Sequence, residues 1–188
     1  TYFEQTDSMV IHPIVDNGFH VDVLLYKPND KYPFWKLVTM GASDYKMPPV
    51  SNTVSQYNEY IMFVDKSEDL ADINLINKYV MYLMEVAMYP VSENVYITYS
   101  HSIEWTPNEG EEMVGAFIEF PQIIEDSHIL RCKLGLFKTV TCLQVVLLTK
   151  DEINKLLEIG AEEFSYFLYP DSDDSPHFIS ELKRTEKF

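Results

Sequence analysis

The 188 residues carry 30 acidic against 14 basic side chains, a formal charge of −16, with 46% hydrophobic and 14% aromatic content. That length can bury a core without disulfides or metal, and the composition excludes a disordered chain. The acidic surface repels phosphates and argues against direct DNA or RNA binding, and no apolar run reaches the roughly 18 residues of a membrane span; solubility alone also accounts for such a charge.

Residues 1–9 show no period. Val10 to Val15 reads as an edge strand that tolerates Pro13, and Asp16-Asn17-Gly18 reads as a turn. Val21, Val23 and Leu25 then alternate with Asp22, Leu24 and Tyr26, which predicts a strand with one face on a core. Lys27-Pro28-Asn29-Asp30 breaks it, because Pro lacks the ladder donor and Asn and Asp suit turns. Phe34 to Met40 is the return strand, closed by the small and polar Gly41-Ala42-Ser43-Asp44.

A loop to Gln56 precedes a strand over Tyr57–Val64 and a solvated connector over Asp65–Asp69. The acidic spacing in that connector matches no calcium loop. Ile73, Ile76, Val80, Leu83 and Ala87 recur at three and four and predict a helix over Ile73–Met88, widened by Met81, Met84 and Met88 and stopped by Pro90. Its methionines are expected to fill the core. A strand over Val95–Ser100, a polar loop over His101–Glu112 and a short strand over residues 114–120 follow. Ile129–Phe137 pairs with Thr139–Leu148, whose apolar end suggests a central strand buried on both faces. Thr149-Lys150-Asp151-Glu152 has the form of a capping box for a helix that places Ile153, Leu156, Leu157, Phe164 and Phe167 along one side, with Gly160 inside it. The expected architecture is α+β, a largely antiparallel or mixed sheet packed with two main helices. Residues 1–170 form the domain, and 171–188 an acidic linker with a short C-terminal helix or tail. The expected core is Val21, Val23, Leu25, Leu37, Ile76, Val80, Leu83, Val146, Leu156 and Leu157.

Motifs for chemistry are weak. Gly41-Ala42-Ser43-Asp44-Tyr45 shares one Gly and the Ser of a nucleophile elbow, but Tyr45 stands where the second Gly belongs. Ser43 and Asp44 are expected to pin a turn, and a hydrolase using Ser43 is the remote alternative. The histidines and the two cysteines, Cys132 and Cys142, lack zinc-site spacing, so neither metal nor cofactor is expected. The cysteines are expected as free thiols of a reducing compartment, the cytoplasm, with one disulfide as the alternative. No charged-then-apolar leader is visible, and the start at Thr1 in place of Met leaves open a removed upstream piece.

The runs "VDVLLYKP" and "PFWKLVTMGASDYKMP" resemble the suppressor-of-fused family, and the likeness continues in "VAMYPVSENVYITYSHSI" and "VVLLTKDEINKLLEIGAEEF". It spans most of residues 19–168 and makes Asp22, Tyr26, Pro28, Thr39, Gly41, Ser43, Asp44 and Met47 family-motif residues of structural role. The resemblance implies a protein-binding module and not an enzyme, in the single-lobe form found in bacteria. It places Tyr89 where animal members use a groove Tyr, and puts Ser100, next to His101, where they use an acidic groove residue. That departure changes the ligand the groove can take. Bacterial single-lobe members look like immunity proteins of toxin systems, so the first expectation is stoichiometric inhibition of a basic toxin domain. A regulatory scaffold for an endogenous protein or peptide is the alternative. Of the acidic clusters, Glu109, Glu111 and Glu112 are expected to border the partner, because they lie in a polar loop after the strand leading from Tyr89. Asp171, Asp173 and Asp174 are expected to matter less.

Overall fold

Strand β8 (Lys138–Thr149) shows how the architecture arises, because its two faces are both apolar. Leu143, Val145 and Leu147 point into one buried cluster, while Cys142, Val146 and Leu148 point into another. A strand of period two with both sets apolar has to lie between two covering layers. Here α1 (Ile73–Ser92) covers one face, and α2 (Lys150–Ile159) with α3 (Ala161–Leu168) covers the other. The computed structural model describes residues 8–12, 18–50, 55–124, 130–134, 138–169 and 177–183.

The other strands are β1 (Met9–Ile11), β2 (Asp22–Tyr26), β3 (Phe34–Met40), β4 (Asn58–Asp65), β5 (His101–Glu104), β6 (Met113–Glu119) and β7 (Arg131–Leu134). They join β8 in one sheet of order β1-β2-β3-β4-β8-β6-β5, with β7 paired to the start of β8. Every described pairing of named strands is antiparallel except β4 with β8, so the sheet is mixed. The β2–β3 turn is held by Asn29, whose side chain accepts from the Tyr32 N–H at 2.7 Å.

Parallel pairing of β4 and β8 is described only from Asn58↔Thr141 to Met62↔Val145. Beyond it the backbone of Ser180 enters: its N–H donates to Phe63 O, and its carbonyl accepts from Asp65 N–H. The Ser180 hydroxyl accepts from Leu147 N–H across the gap. Residues 177–183, expected as helix or tail, therefore run as turns and one β-bridge with Phe178 and Ser180 buried. Unpaired strand groups at a splayed parallel junction supply the reason, since buried backbone donors and acceptors require partners.

Several expectations need correction. The helix passes through Pro90 to Ser92, because a proline in the last turn removes only one intrahelical bond. Ile73 is 66% exposed, since it directly follows the N-cap Asp72 and lies off the buried face. Met81 is also exposed, whereas Met84 is buried. The connector at 65–69 is not wholly solvated: Glu68 accepts from Tyr79 Oη at 2.9 Å and Leu182 N–H at 3.2 Å. The expected strand at Val95–Ser100 is instead a loop closed by a turn, and pairing starts at His101↔Ile118. Ser100 adopts a left-handed φ of 63°, held by its N–H on Ile118 O at 2.8 Å.

The Thr149–Glu152 capping box is present in both directions. Gly160, at φ 86°, ends α2 and starts α3 in a new direction, so the long helix is two. Leu157 is consequently 72% exposed, while Ile153 and Leu156 anchor α2 and Phe164 and Leu168 anchor α3. The other nine expected core residues are buried. Cys132 and Cys142 are thiols and not joined in a disulfide, and burial pushes the Cys142 thiol up to about 12. Residues 13–15 of the expected edge strand, the expected turn at Asp16-Asn17, the loop at 51–54, residues 129 and 135–137 of the expected strand before β8 and the acidic Asp171, Asp173 and Asp174 lie outside the described residues.

Candidate functional site

Two places gather polar groups, and they differ in whom those groups serve. The first is the β3–β4 turn, where the family-motif residues converge on Glu59. The Thr39 hydroxyl donates to one Glu59 oxygen at 2.6 Å, while the N–H groups of Gly41 and Ser43 donate to the other at 3.1 and 3.0 Å. Gly41 has φ 110°, and a Cβ there would stand 2.9 Å from His20 O. Only glycine fits a left-handed residue under such a close backbone, and the turn so formed points the N–H groups of Gly41 and Ser43 at one carboxylate oxygen.

Around this hub, Asp44 pairs with Lys138 at 3.1 Å, and Asp22 accepts from His12 Nδ1 at 2.7 Å. Met47 is buried and exchanges backbone and side-chain bonds with Gln56. Tyr26 packs against the α2–α3 cluster, and Pro28 opens the β2–β3 turn. Ser43 is buried, and its backbone is committed to Glu59. The motif is thus a self-contained anion site filled by the chain's own carboxylate. Glu59 was not anticipated, although one acid directly before the apolar run Tyr60-Ile61-Met62-Phe63, within the expected strand Tyr57–Val64, was a signal for it.

The second place is a cleft of about 460 Å³ between α1 and residues 105–111. Its floor is a stacked pair, Tyr82 on Trp105, with centroids 5.6 Å apart and planes 24° apart. The indole is fixed at both ends: Nε1 donates to Met113 O at 3.1 Å, and the backbone N–H donates to Val114 O at 2.8 Å. Glu111 rises at the rim, where its carboxylate accepts from the Asn108 N–H and side-chain amide at 3.2 and 3.0 Å. Burial first and then the nearby Glu111 charge push the Tyr82 hydroxyl up to about 12, so it stays neutral. Glu85, Met81 and Lys78 line the α1 wall.

A second hollow, of about 610 Å³, lies between the 99–100 turn, the end of β6 and α3. Ser100 lines it beside Tyr99, which stacks on Phe120 at 4.6 Å. Glu119 is buried there, with one oxygen accepting from Phe120 N–H.

The expected partner-binding residues do not form one patch. Glu111 lines the first cleft, and Ser100 the second hollow. Glu109 and Glu112 are exposed on the same loop as Glu111. His101 begins β5 and meets Tyr96 edge-on at 6.5 Å, while Tyr89, half-buried near the end of α1, packs on the core and lines neither hollow. Tyr82, Glu85 and Trp105 were missed. A tryptophan within a polar loop was the available signal.

Among the described residues, no group of three His, Cys, Asp or Glu is placed to hold a metal, and no helix is long and apolar enough to cross a membrane.

The family described as Suppressor of fused protein (SUFU) matches residues 18–182. No curated protein matches the chain. Among solved structures, a chain of the Sufu–Fu complex is similar at TM-score 0.68 and 11% identity, over 98% of this chain and 86% of that one. Drosophila Suppressor of Fused is similar at 0.62 and 12%, over 89% of this chain but 42% of its own length. A SUFU homolog from Neisseria gonorrhoeae gives 0.58 and 12%, over 87% and 80%. At such identities the structural likeness shows the fold alone.

Proposed function

The chain belongs to the suppressor-of-fused family, and from that premise we propose that it is a non-catalytic protein-binding domain that neutralises a basic toxin by stoichiometric binding. The observation that carries this reading is the 105–112 loop, which holds Glu111 preset beside an aromatic floor and adds Glu109 and Glu112 at the surface. A net charge of −16 supports it, because opposite charge speeds encounter and selects partners. The fate of Ser43 supports the non-catalytic half: its backbone and its burial serve the turn around Glu59.

Co-purification with the product of the adjacent gene tests the reading. The expected result is a one-to-one complex that abolishes the toxin's activity. Failure to bind any neighbouring product would favour the regulatory scaffold, a reading that the likeness to a chain solved in the Sufu–Fu complex supports.

A further inference from the structure

We propose that the cleft between α1 and the 105–111 loop is a receptor for a single arginine side chain, one that a partner protein inserts across the Trp105 indole; this deepens the binding reading and rests on it. The argument starts with the floor. Buried Tyr82 stacks behind the half-buried Trp105, and indole attracts cations best among the aromatic side chains. The ring cannot turn away, because Nε1 and the backbone N–H are both bonded to β6. A rigid aromatic surface lowers the ordering cost of binding.

The walls then select charge. Glu85 and Glu111 face the cleft against one ammonium, Lys78, leaving a net negative hollow. Glu111 is already held by the Asn108 N–H and side-chain amide, so it meets a cation without reorganising. The planar fork of arginine fits this set better than a lysine ammonium: it stacks flat on the indole while its edge N–H groups reach carboxylate and amide oxygens. Asn77 and Asn108 supply such amides. The volume of about 460 Å³ falls within the range of about 300–1,000 Å³ usual for binding pockets.

The test is calorimetric titration of the intact chain with end-capped tetra-arginine, tetra-lysine and tetra-glutamine, and with a neutral chito-oligosaccharide. Tetra-arginine is expected to bind, with tetra-lysine roughly threefold to tenfold weaker and tetra-glutamine silent. Glu111→Gln and Trp105→Phe should each weaken tetra-arginine by a similar factor, with circular dichroism unchanged and both variants still fully folded at the titration temperature, although Trp105→Phe loses the Met113 bond and melts somewhat earlier. Glu162→Gln, at the other hollow, should leave it unaltered and so controls for general surface charge. Equal binding of the two cationic peptides, insensitivity to the cleft variants, or preference for the sugar would overturn the proposal. The two readings fail separately. A partner complex indifferent to Glu111→Gln and Trp105→Phe sinks the arginine receptor alone. Arginine binding at the cleft with no protein partner found sinks the inhibitor alone.

Discussion

Glu59 and Glu111 are both carboxylates beside a turn, and both accept several hydrogen bonds, yet they end in opposite roles. Glu59 takes the Thr39 hydroxyl and the Gly41 and Ser43 N–H groups, all supplied by the neighbouring β3 and its turn. Its lone pairs serve the fold. Glu111 is steadied by Asn108 and stands at the rim of an open cleft. The difference teaches that a polar motif legible in sequence is as readily a closed internal contact as a site. What distinguishes them is whether the chain itself supplies the counter-group.

Three substitutions break the comparison on its structural side. Leu83→Ala, under the helix that walls the cleft and fully buried, should cost roughly 2–5 kcal/mol in a urea melt, because it leaves a cavity in the core. Glu59→Ala should cost about 2–4 kcal/mol, since it strips three donors of a charged acceptor; a loss below about 0.5 kcal/mol, the scale of surface changes, would mean the turn does not depend on it. Gly41→Ala should cost about 1–3 kcal/mol, from the strained φ and the His20 carbonyl in its way. On the other side, Glu111→Gln should shift stability by no more than about 0.5 kcal/mol while weakening partner binding. Smallest of all, Ser43→Ala should leave both partner binding and any background esterase activity unaltered. Loss of such activity would revive the hydrolase reading.

The sheet and helices were legible wherever periodicity was local. Val21, Val23 and Leu25 alternate, Ile76, Val80 and Leu83 recur at helical spacing, and Thr149 with Glu152 announces a cap; each pattern produces the buried face or bond it implies. Legibility ended where distant segments decide. Ser100 turns left-handed because Ile118 captures its N–H, which no propensity of the 95–100 run reveals. Leu157 lies at helical spacing from Ile153, yet Gly160 redirects the chain and leaves it in solvent. The docking of Ser180 follows from the splay of β4 from β8, a property of the whole sheet. The cleft was hidden for the same reason: Tyr82 and Trp105 lie on different elements and meet only in the fold. Tyr89 and Ser100, taken from family likeness, fall in different surroundings, and their part in binding stands as a proposal for mutagenesis.

The central claim, that the 105–112 side receives a basic protein, is tested most directly by stopped-flow association. The native chain and a Glu109→Lys, Glu111→Lys, Glu112→Lys variant would each meet the adjacent gene's product at low and at physiological salt. The account predicts association slowed about tenfold or more for the variant at low salt, with the gap narrowing as the Debye length falls to about 8 Å. Equal rates and equal affinities for the two chains at both salts would contradict it.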